Sequence, residues 1–297
     1  MTAARTVTWR SLLDDATATL TAVDARWIVC EASGYDPAEL GLVLDEPATN
    51  RGVRAVDDLV ARRARGEPLQ YVLGSWEFRG IDLMVDPRVL IPRPETEVVA
   101  QVAIDELARA GVRTGKADPW SAGVTEYAVA DLGTGSGALA LALVTELPDA
   151  AVWATDASED ALAVARANLS SIGFAATRVR LVQGHWFDAL PLELRGDLKL
   201  VVSNPPYVSE AEYAELPTEV AVYEPTHALV SGSTGLECLE VIVRDAPAWL
   251  APDGVLVCEH APHQADALCE LAHAAGFARV DVRVDLTGRD RVLVASR

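Results

Sequence analysis

The chain has 297 residues, half of them apolar, and a formal charge of −19 at pH 7. This length accommodates one large domain and a smaller one, and the apolar share excludes a disordered chain. The charge repels phosphate backbones and anionic bilayers, which excludes a broad nucleic-acid or membrane-surface face.

No early segment joins a basic start to an apolar run, because Arg5, Arg10, Asp14 and Asp15 interrupt it, and no apolar run reaches the length of a membrane span. Cys30, Cys238, Cys258 and Cys269 show no Cys-x-x-Cys spacing and read as reduced, buried thiols of a cytoplasmic protein. Residues 1 to about 72 read as a small helical unit. Leu12, Leu13, Ala16 and Leu20 recur at helical spacing, residues 24–32 carry Trp27 and Ile28, and residues 57–65 end in the basic tip Arg62, Arg63 and Arg65. Trp9 and Trp27 read as core anchors, and the arginines as a solvated helix end, with a docking patch as the alternative. Between residues 76 and 90 the alternation of Phe78, Ile81, Leu83 and Val85 around Arg79-Gly80 predicts a hairpin.

Pro94 or Thr96 can open a helix reaching Ala110, with Glu95 and Glu97 in a first turn that favours carboxylates. Residues 111–123 are expected to be a loop. Strands are then predicted at 127–132, 152–155, 179–182, 198–203, 254–259, 278–284 and 291–295, and helices at 136–146, 158–170, 235–250 and 262–275. Such alternation implies an α/β sheet covered on both faces, with ligands bound beyond the carboxyl ends of its strands. Only a tight turn at 287–290 precedes the last strand, so that strand is expected to run antiparallel.

Two stretches carry chemistry. In Asp131-Leu132-Gly133-Thr134-Gly135-Ser136-Gly137 the glycines allow a tight turn and close backbone approach where the first sheet helix opens. Asp156 ends the second strand about twenty residues after Gly135, where a carboxylate can accept both hydroxyls of a ribose. The pattern is shared by nicotinamide enzymes and S-adenosylmethionine enzymes. The second stretch, Asn204-Pro205-Pro206-Tyr207, decides between them. Its prolines lack N–H groups, so the turn offers acceptors: the Asn204 amide oxygen and the Pro205 carbonyl can hold both hydrogens of a planar NH2 group while the Tyr207 ring covers one face. Asp131 also suits the amino acid end of S-adenosylmethionine better than a pyrophosphate, which it would repel. Methyl transfer is therefore the expected chemistry.

With these motifs, the sequence resembles the release factor glutamine N5-methyltransferases (PrmC/HemK) over almost its whole length. Pro68 to Gly74 with Phe78, Val89 to Glu97, Asp131 to Gly137, Asp156 with Asn168, Asn204 to Tyr207, Glu224-Pro225, Ala228-Leu229, Gly235-Leu236, and Asp285-Leu286 with Gly288, Asp290 and Arg291 follow in the family's order. The resemblance implies a helical substrate-docking domain at 1–74, a hairpin linker at 75–92 and a class I methyltransferase domain with a seven-stranded mixed sheet at 93–297. It implies methylation of the glutamine in the Gly-Gly-Gln loop of class 1 peptide release factors, with S-adenosylmethionine as donor, S-adenosylhomocysteine as product and no metal. By position, Asn204, Pro205 and Tyr207 would be catalytic. Asp131, Gly133, Thr134, Gly135, Gly137, Asp156, His185, Trp186 and Asn204 would bind the cofactor. Arg93, Pro94, Glu97, Asn204, Pro205, Pro206, Tyr207 and Glu224 would meet the substrate.

Three positions depart from the family: His185 stands where an acidic residue is common, Thr234 where an Asp precedes Gly-Leu, and His260 where a Gly follows Glu259. His185, His260 and His263 form no ligand set with Glu259 and Asp188 and read as surface or loop histidines. Arg93 can orient a substrate carbonyl or pair with a glutamate. A cytoplasmic monomer with no stable nucleic-acid partner and no membrane contact is expected. The alternative is an adenine-N6 methyltransferase acting on a flipped base of DNA or RNA; the charge and the lack of a basic recognition domain weigh against it.

Overall fold

The computed structural model describes residues 7–115 and 125–297, so the loop expected at 111–123 lies, from residue 116, outside the described residues. The chain forms two compact units. One comprises the chain up to Ser75 together with Pro217–Tyr223; the other comprises Trp76–Leu216 and Glu224–Arg297.

In the first unit, helices α1 (Trp9–Thr17), α2 (Ala22–Ser33), α3 (Leu40–Val43), α4 (Asn50–Ala64) and α5 (Leu69–Leu73) surround a core that includes Leu12, Ile28, Val29, Leu40, Val56 and Val72. Thr8, Thr21 and Thr49 cap α1, α2 and α4 by accepting from the N–H groups of Ser11, Asp24 and Gly52. Gly52 is required where it stands, because a Cβ there would lie 2.3 Å from the buried Trp9 ring. Trp27 departs from its expected core role and is 40 % exposed. Arg62 and Arg63 are not a solvated tip. Arg62 pairs with Glu67 and donates to the carbonyls of Tyr71 and Val72, while Arg63 pairs with Asp24 and Glu219 and donates to the Glu67 carbonyl. Forked guanidinium groups here satisfy carbonyls left open where α4 and α5 meet.

The second unit opens on the expected hairpin of β1 (Ser75–Phe78), whose first residue still belongs to the first unit, and β2 (Ile81–Met84). Arg79 and Gly80 have φ values of 51° and 74°, the left-handed pair demanded by a two-residue hairpin turn. The sheet domain follows: α6 (Pro94–Arg109), β3 (Tyr127–Leu132), α7 (Ala138–Glu146), β4 (Ala150–Asp156), α8 (Glu159–Leu169), β5 (Val179–Gln183), β6 (Leu198–Ser203), β7 (Val208–Ser209) and α9 (Glu210–Tyr213). After α10 (Thr218–Tyr223), which belongs to the first unit, come β8 (Val230–Gly232), α11 (Glu237–Asp245), β9 (Leu250–Glu259), α12 (Ala265–Ala274), β10 (Arg279–Val284) and β11 (Asp290–Ser296). Seven strands form one mixed sheet in the order β10-β11-β9-β6-β3-β4-β5, and β11 is antiparallel to both neighbours. This is the class I methyltransferase architecture.

Alternate strand residues feed two cores. Val129, Val202, Val257 and Val294 face the layer of α6 and α7; Ala130, Val201, Leu256 and Leu293 face that of α11 and α12. Asn168 joins the hairpin to the sheet loops: its amide exchanges hydrogen bonds with the backbone of Met84 and donates to the Ser136 carbonyl.

Register positions the site. Leu132 pairs with both Thr155 and Ser203, and Ser203 pairs with Cys258. One residue further on, Glu259, Asn204, Gly133 and Asp156 therefore reach the carboxyl rim on four adjacent strands. Three strand ends that lie far apart in sequence thus deliver polar side chains beside the glycine loop.

Candidate active site

A cavity of about 320 Å³ opens at this rim, lined among others by Gly133, Gly135, Asp156, His185, Trp186 and Asn204. At one end the glycine loop is held by backbone bonds, as Gly133 and Thr134 N–H groups both donate to the Thr155 carbonyl at 2.9 and 2.8 Å. Gly133, Gly135 and Gly137 have φ values of 74°, 56° and 87°, a conformation that side chains resist. Gly137 also packs tightly: a Cβ would meet Leu141 Cδ1 at 2.8 Å and Ala165 Cβ at 3.3 Å. Asp131 lies beneath the loop, fully buried. Its Oδ2 accepts from Thr134 Oγ1 at 2.6 Å and from Ala140 N–H at 3.1 Å, whereas its Oδ1 has no partner among the described residues. Burial, aided by the charge of Asp156, pushes its carboxyl up to about 7 against the pull of those two bonds.

Asp156 turns outward. Its two oxygens accept from Gly135 and Ser158 N–H groups at 2.9 Å each, and each keeps a lone pair for a ligand hydroxyl. Trp186 holds a φ of 45°, a strained value for an aromatic residue, and its ring closes on the Gly133 backbone, where a Cβ would lie 3.2 Å away.

The other end is built around Glu259, only 1 % exposed. Its Oε2 accepts from Thr96 Oγ1 at 2.8 Å and its Oε1 from the Tyr207 hydroxyl at 3.0 Å. Thr96 Oγ1 in turn accepts from Asn204 Nδ2 at 3.0 Å. Burial pushes the Glu259 carboxyl up, while both hydrogen bonds and the Arg291 charge pull it down. Burial and then the Glu259 charge push the Tyr207 phenol far above its usual range. Thr96 comes to this place because α6 opens on Pro94, which puts residue 96 in the first turn over β6 and β9.

The remaining expected residues fall into two groups. Thr134, Pro206, His185 and Trp186 line the cavity with Gly133, Gly135, Asp156 and Asn204; Asp131, Gly137, Pro205, Tyr207, Arg93, Pro94, Glu97 and Glu224 do not. Of the two uses open to Arg93, the structure shows the ion pair: it binds Glu224, whose buried Oε2 also accepts from Ile91 N–H at 3.2 Å. Glu97 accepts from the Arg79 N–H at the hairpin turn. His260 is a correction. It is fully buried rather than a surface or loop residue, because the β9–β11 pairing carries past Glu259, with His260 N–H donating to the Arg291 carbonyl, and it has no room for solvent. Its Nδ1 lies 2.8 Å from the Ala261 carbonyl, and burial lowers its pKa. His263 is exposed beside Glu212. Among the described residues no group of three His, Cys, Asp or Glu side chains could hold a metal ion.

Sequence reasoning missed Glu259 as part of the site and gave Thr96 no site role beyond its place in the family's 89–97 stretch. The available signals were a hydroxyl inside the Pro-Arg-Pro-Glu-Thr-Glu stretch and a carboxylate at the end of an apolar strand. It also missed Arg88, His227 and Cys238, which line the cavity.

Comparison with known proteins follows the same division of the chain. Residues 7–74 match the model of the PrmC N-terminal domain, and residues 120–234 that of the methyltransferase small domain. A release factor glutamine methyltransferase of Xylella fastidiosa is 39 % identical over 284 residues, 96 % of each chain. One from Geobacter sulfurreducens is 38 % identical over 273 residues, covering 91 % of this chain and 88 % of that protein. Among solved structures, the catalytic domain of hMettl16 in complex with a MAT2A 3′UTR hairpin aligns over 80 % of this chain and 82 % of its own, with a TM-score of 0.56 and 16 % identity, a likeness of fold alone. On the strength of near-complete coverage at this identity, the chain belongs to the release factor glutamine methyltransferase family.

Proposed function

We propose that this protein transfers a methyl group from S-adenosylmethionine to the side-chain amide nitrogen of the glutamine in the Gly-Gly-Gln loop of class 1 peptide release factors. Fold and family both imply that cofactor. The observation that carries the reading is the presence of Asn204 in the same cavity as Gly133, Gly135 and Asp156.

The cavity fits the cofactor. Asp156 would accept the ribose hydroxyls and Trp186 and His185 would border the adenine, while Asp131, beneath the loop and off the cavity wall, would bring its charge and one unpartnered buried oxygen near the amino acid end. Bound there, S-adenosylmethionine would supply an electrophilic methyl on a sulfonium, with S-adenosylhomocysteine as the product and no metal required.

Asn204 Oδ1 and the Pro205 carbonyl would each accept one hydrogen of the glutamine NH2, which turns its lone pair toward the methyl. Pro206 and Tyr207 would shape the slot, and the Arg93–Glu224 pair, with Pro94 and Glu97, would brace the segment beside it. On accepting a methyl so supplied, the nitrogen would release one proton to water. Orientation carries the rate, because the leaving group arrives already activated. The helical unit would dock the release factor, and an acidic surface suits a partner that works on RNA and presents basic faces. A cytoplasmic monomer without a stable nucleic-acid partner completes the reading. Among the described residues no helix is long and apolar enough to cross a membrane.

The test is mass spectrometry of a purified class 1 release factor after incubation with this protein and S-adenosylmethionine. One added methyl on the glutamine of the Gly-Gly-Gln loop is expected. An unmodified release factor, with cofactor binding measured separately, would overturn the substrate and return weight to adenine N6.

A further inference from the structure

An asparagine side chain has two nearly isosteric ends, one accepting and one donating hydrogen bonds. If Asn204 presented its NH2 to the cavity, a substrate NH2 would meet donors instead of an acceptor. Shape cannot choose between the two orientations. The hydrogen-bond chain behind Asn204 can.

With its carboxyl ionised, Glu259 receives two hydroxyl donors, Thr96 on Oε2 and Tyr207 on Oε1, and both of its oxygens act as acceptors. Thr96 has one hydroxyl proton and gives it to Glu259, which leaves its oxygen able only to accept. The group it accepts from is Asn204 Nδ2, at 3.0 Å. A flipped Asn204 would set Oδ1 against that oxygen with no proton between them, a buried clash of lone pairs. Thr96 is 4 % exposed and Glu259 1 %, so water cannot readily relieve it.

We infer that Glu259 and Thr96 are positioning residues for methyl transfer: the one-way chain from Asn204 through Thr96 to Glu259 locks the Asn204 amide with its oxygen toward the cavity. The inference rests on the proposed function for its substrate, although any NH2-bearing acceptor would need the same orientation. Glu259, at the end of β9, does not line the cavity; Thr96, on the first turn of α6, lines it but commits its hydroxyl to Glu259 and Asn204. They act through Asn204.

The test uses the full-length protein. Thr96→Val keeps the side-chain shape and removes the hydroxyl; Thr96→Ser keeps the hydroxyl; Glu259→Gln replaces one acceptor with a donor. Thr96→Val and Glu259→Gln are expected to lower kcat for release factor methylation about tenfold to a hundredfold, with S-adenosylmethionine affinity changed less than about twofold and Thr96→Ser restoring most of the rate. A second readout needs no substrate. The Asn204 side-chain amide pair in the 15N–1H spectrum, assigned by its loss in Asn204→Asp, is expected to move in Thr96→Val and Glu259→Gln and to return in Thr96→Ser. A wild-type kcat together with an unmoved amide signal in Thr96→Val would overturn the inference. If the wild-type protein left the release factor unmodified, the proposed substrate would fail, and the amide signal would still decide the orientation of Asn204.

Discussion

At the Gly133 end of the cavity the polar groups are backbone amides and two carboxylates, and the shape comes from glycines in left-handed conformation. At the Asn204 end, Asn204 and Thr96 meet the cavity with neutral groups, and one carboxylate, Glu259, is held behind them. The difference follows from what each end must do. Under the proposed function, a cationic ligand with a ribose would be held by charge and by acceptors, whereas an uncharged amide would have to be oriented without being ionised or solvated. The first end can tolerate an exposed carboxylate; the second cannot, because a charge beside the reacting nitrogen would bind water.

The sharpest way to separate the ends is Asn204→Ala. It is expected to lower kcat on the order of a hundredfold to a thousandfold, as loss of a single preorganised polar group does elsewhere, while cofactor affinity by calorimetry stays close to wild type. Equal losses in both would mean that the ends do not work independently. Asp156→Ala is the converse. Cofactor affinity should weaken about tenfold to a hundredfold as the hydroxyl acceptors disappear, with the larger share of the kinetic change in KM for the cofactor. Gly137→Ala probes the loop's geometry rather than its chemistry. Positive φ and the crowded Leu141 and Ala165 should together cost about 1–3 kcal/mol in urea unfolding.

The smallest expected effect concerns pH. The Asp131 carboxyl sits at about 7 in the folded protein and near the ordinary value, about 3.9, when unfolded, so between these limits the folded state holds the extra proton. Its contribution to stability is complete below the unfolded value and is lost as pH rises through the folded one, with a slope of at most about 1.4 kcal/mol per pH unit. Asp131→Asn keeps an acceptor for Thr134 and Ala140 and should flatten that slope in urea midpoints measured without cofactor from about pH 4.5 to about pH 7. An unchanged slope would assign the titration to another group.

The sheet was legible because its strands are apolar runs that stop at polar rim residues; β3 and β6 begin and end where the pattern predicts. β9 starts earlier than expected, at Leu250, because Pro252 and Asp253 look like loop residues although the sheet pairs across them, with a register shift before Val255. Local pattern also identified the glycine loop, Asp156 and the Asn-Pro-Pro-Tyr turn. It could not supply the alignment of Leu132, Thr155, Ser203 and Cys258, which depends on strand pairing across the fold. The Thr96–Glu259 bond joins residues 163 positions apart, so no window of sequence contains it. His260, Trp27, Arg62 and Arg63 were misjudged for a related reason: residue type gives an average environment, and their burial or pairing is set by partners elsewhere in the chain.

The helical unit is discontinuous in sequence. Pro217–Tyr223 belongs to it, and within that unit Glu219 pairs with Arg63 while the Tyr223 hydroxyl donates to the Arg65 carbonyl at 3.1 Å. A ribosome that has made only the first 75 residues has therefore not yet made the whole unit. Its final contacts must wait until most of the sheet domain has emerged, so the two units share a folding schedule. Excision at residue 75 would yield helices with Arg63 and Arg65 deprived of these partners, and a transplant of this domain onto another enzyme would need the α10 segment to travel with it.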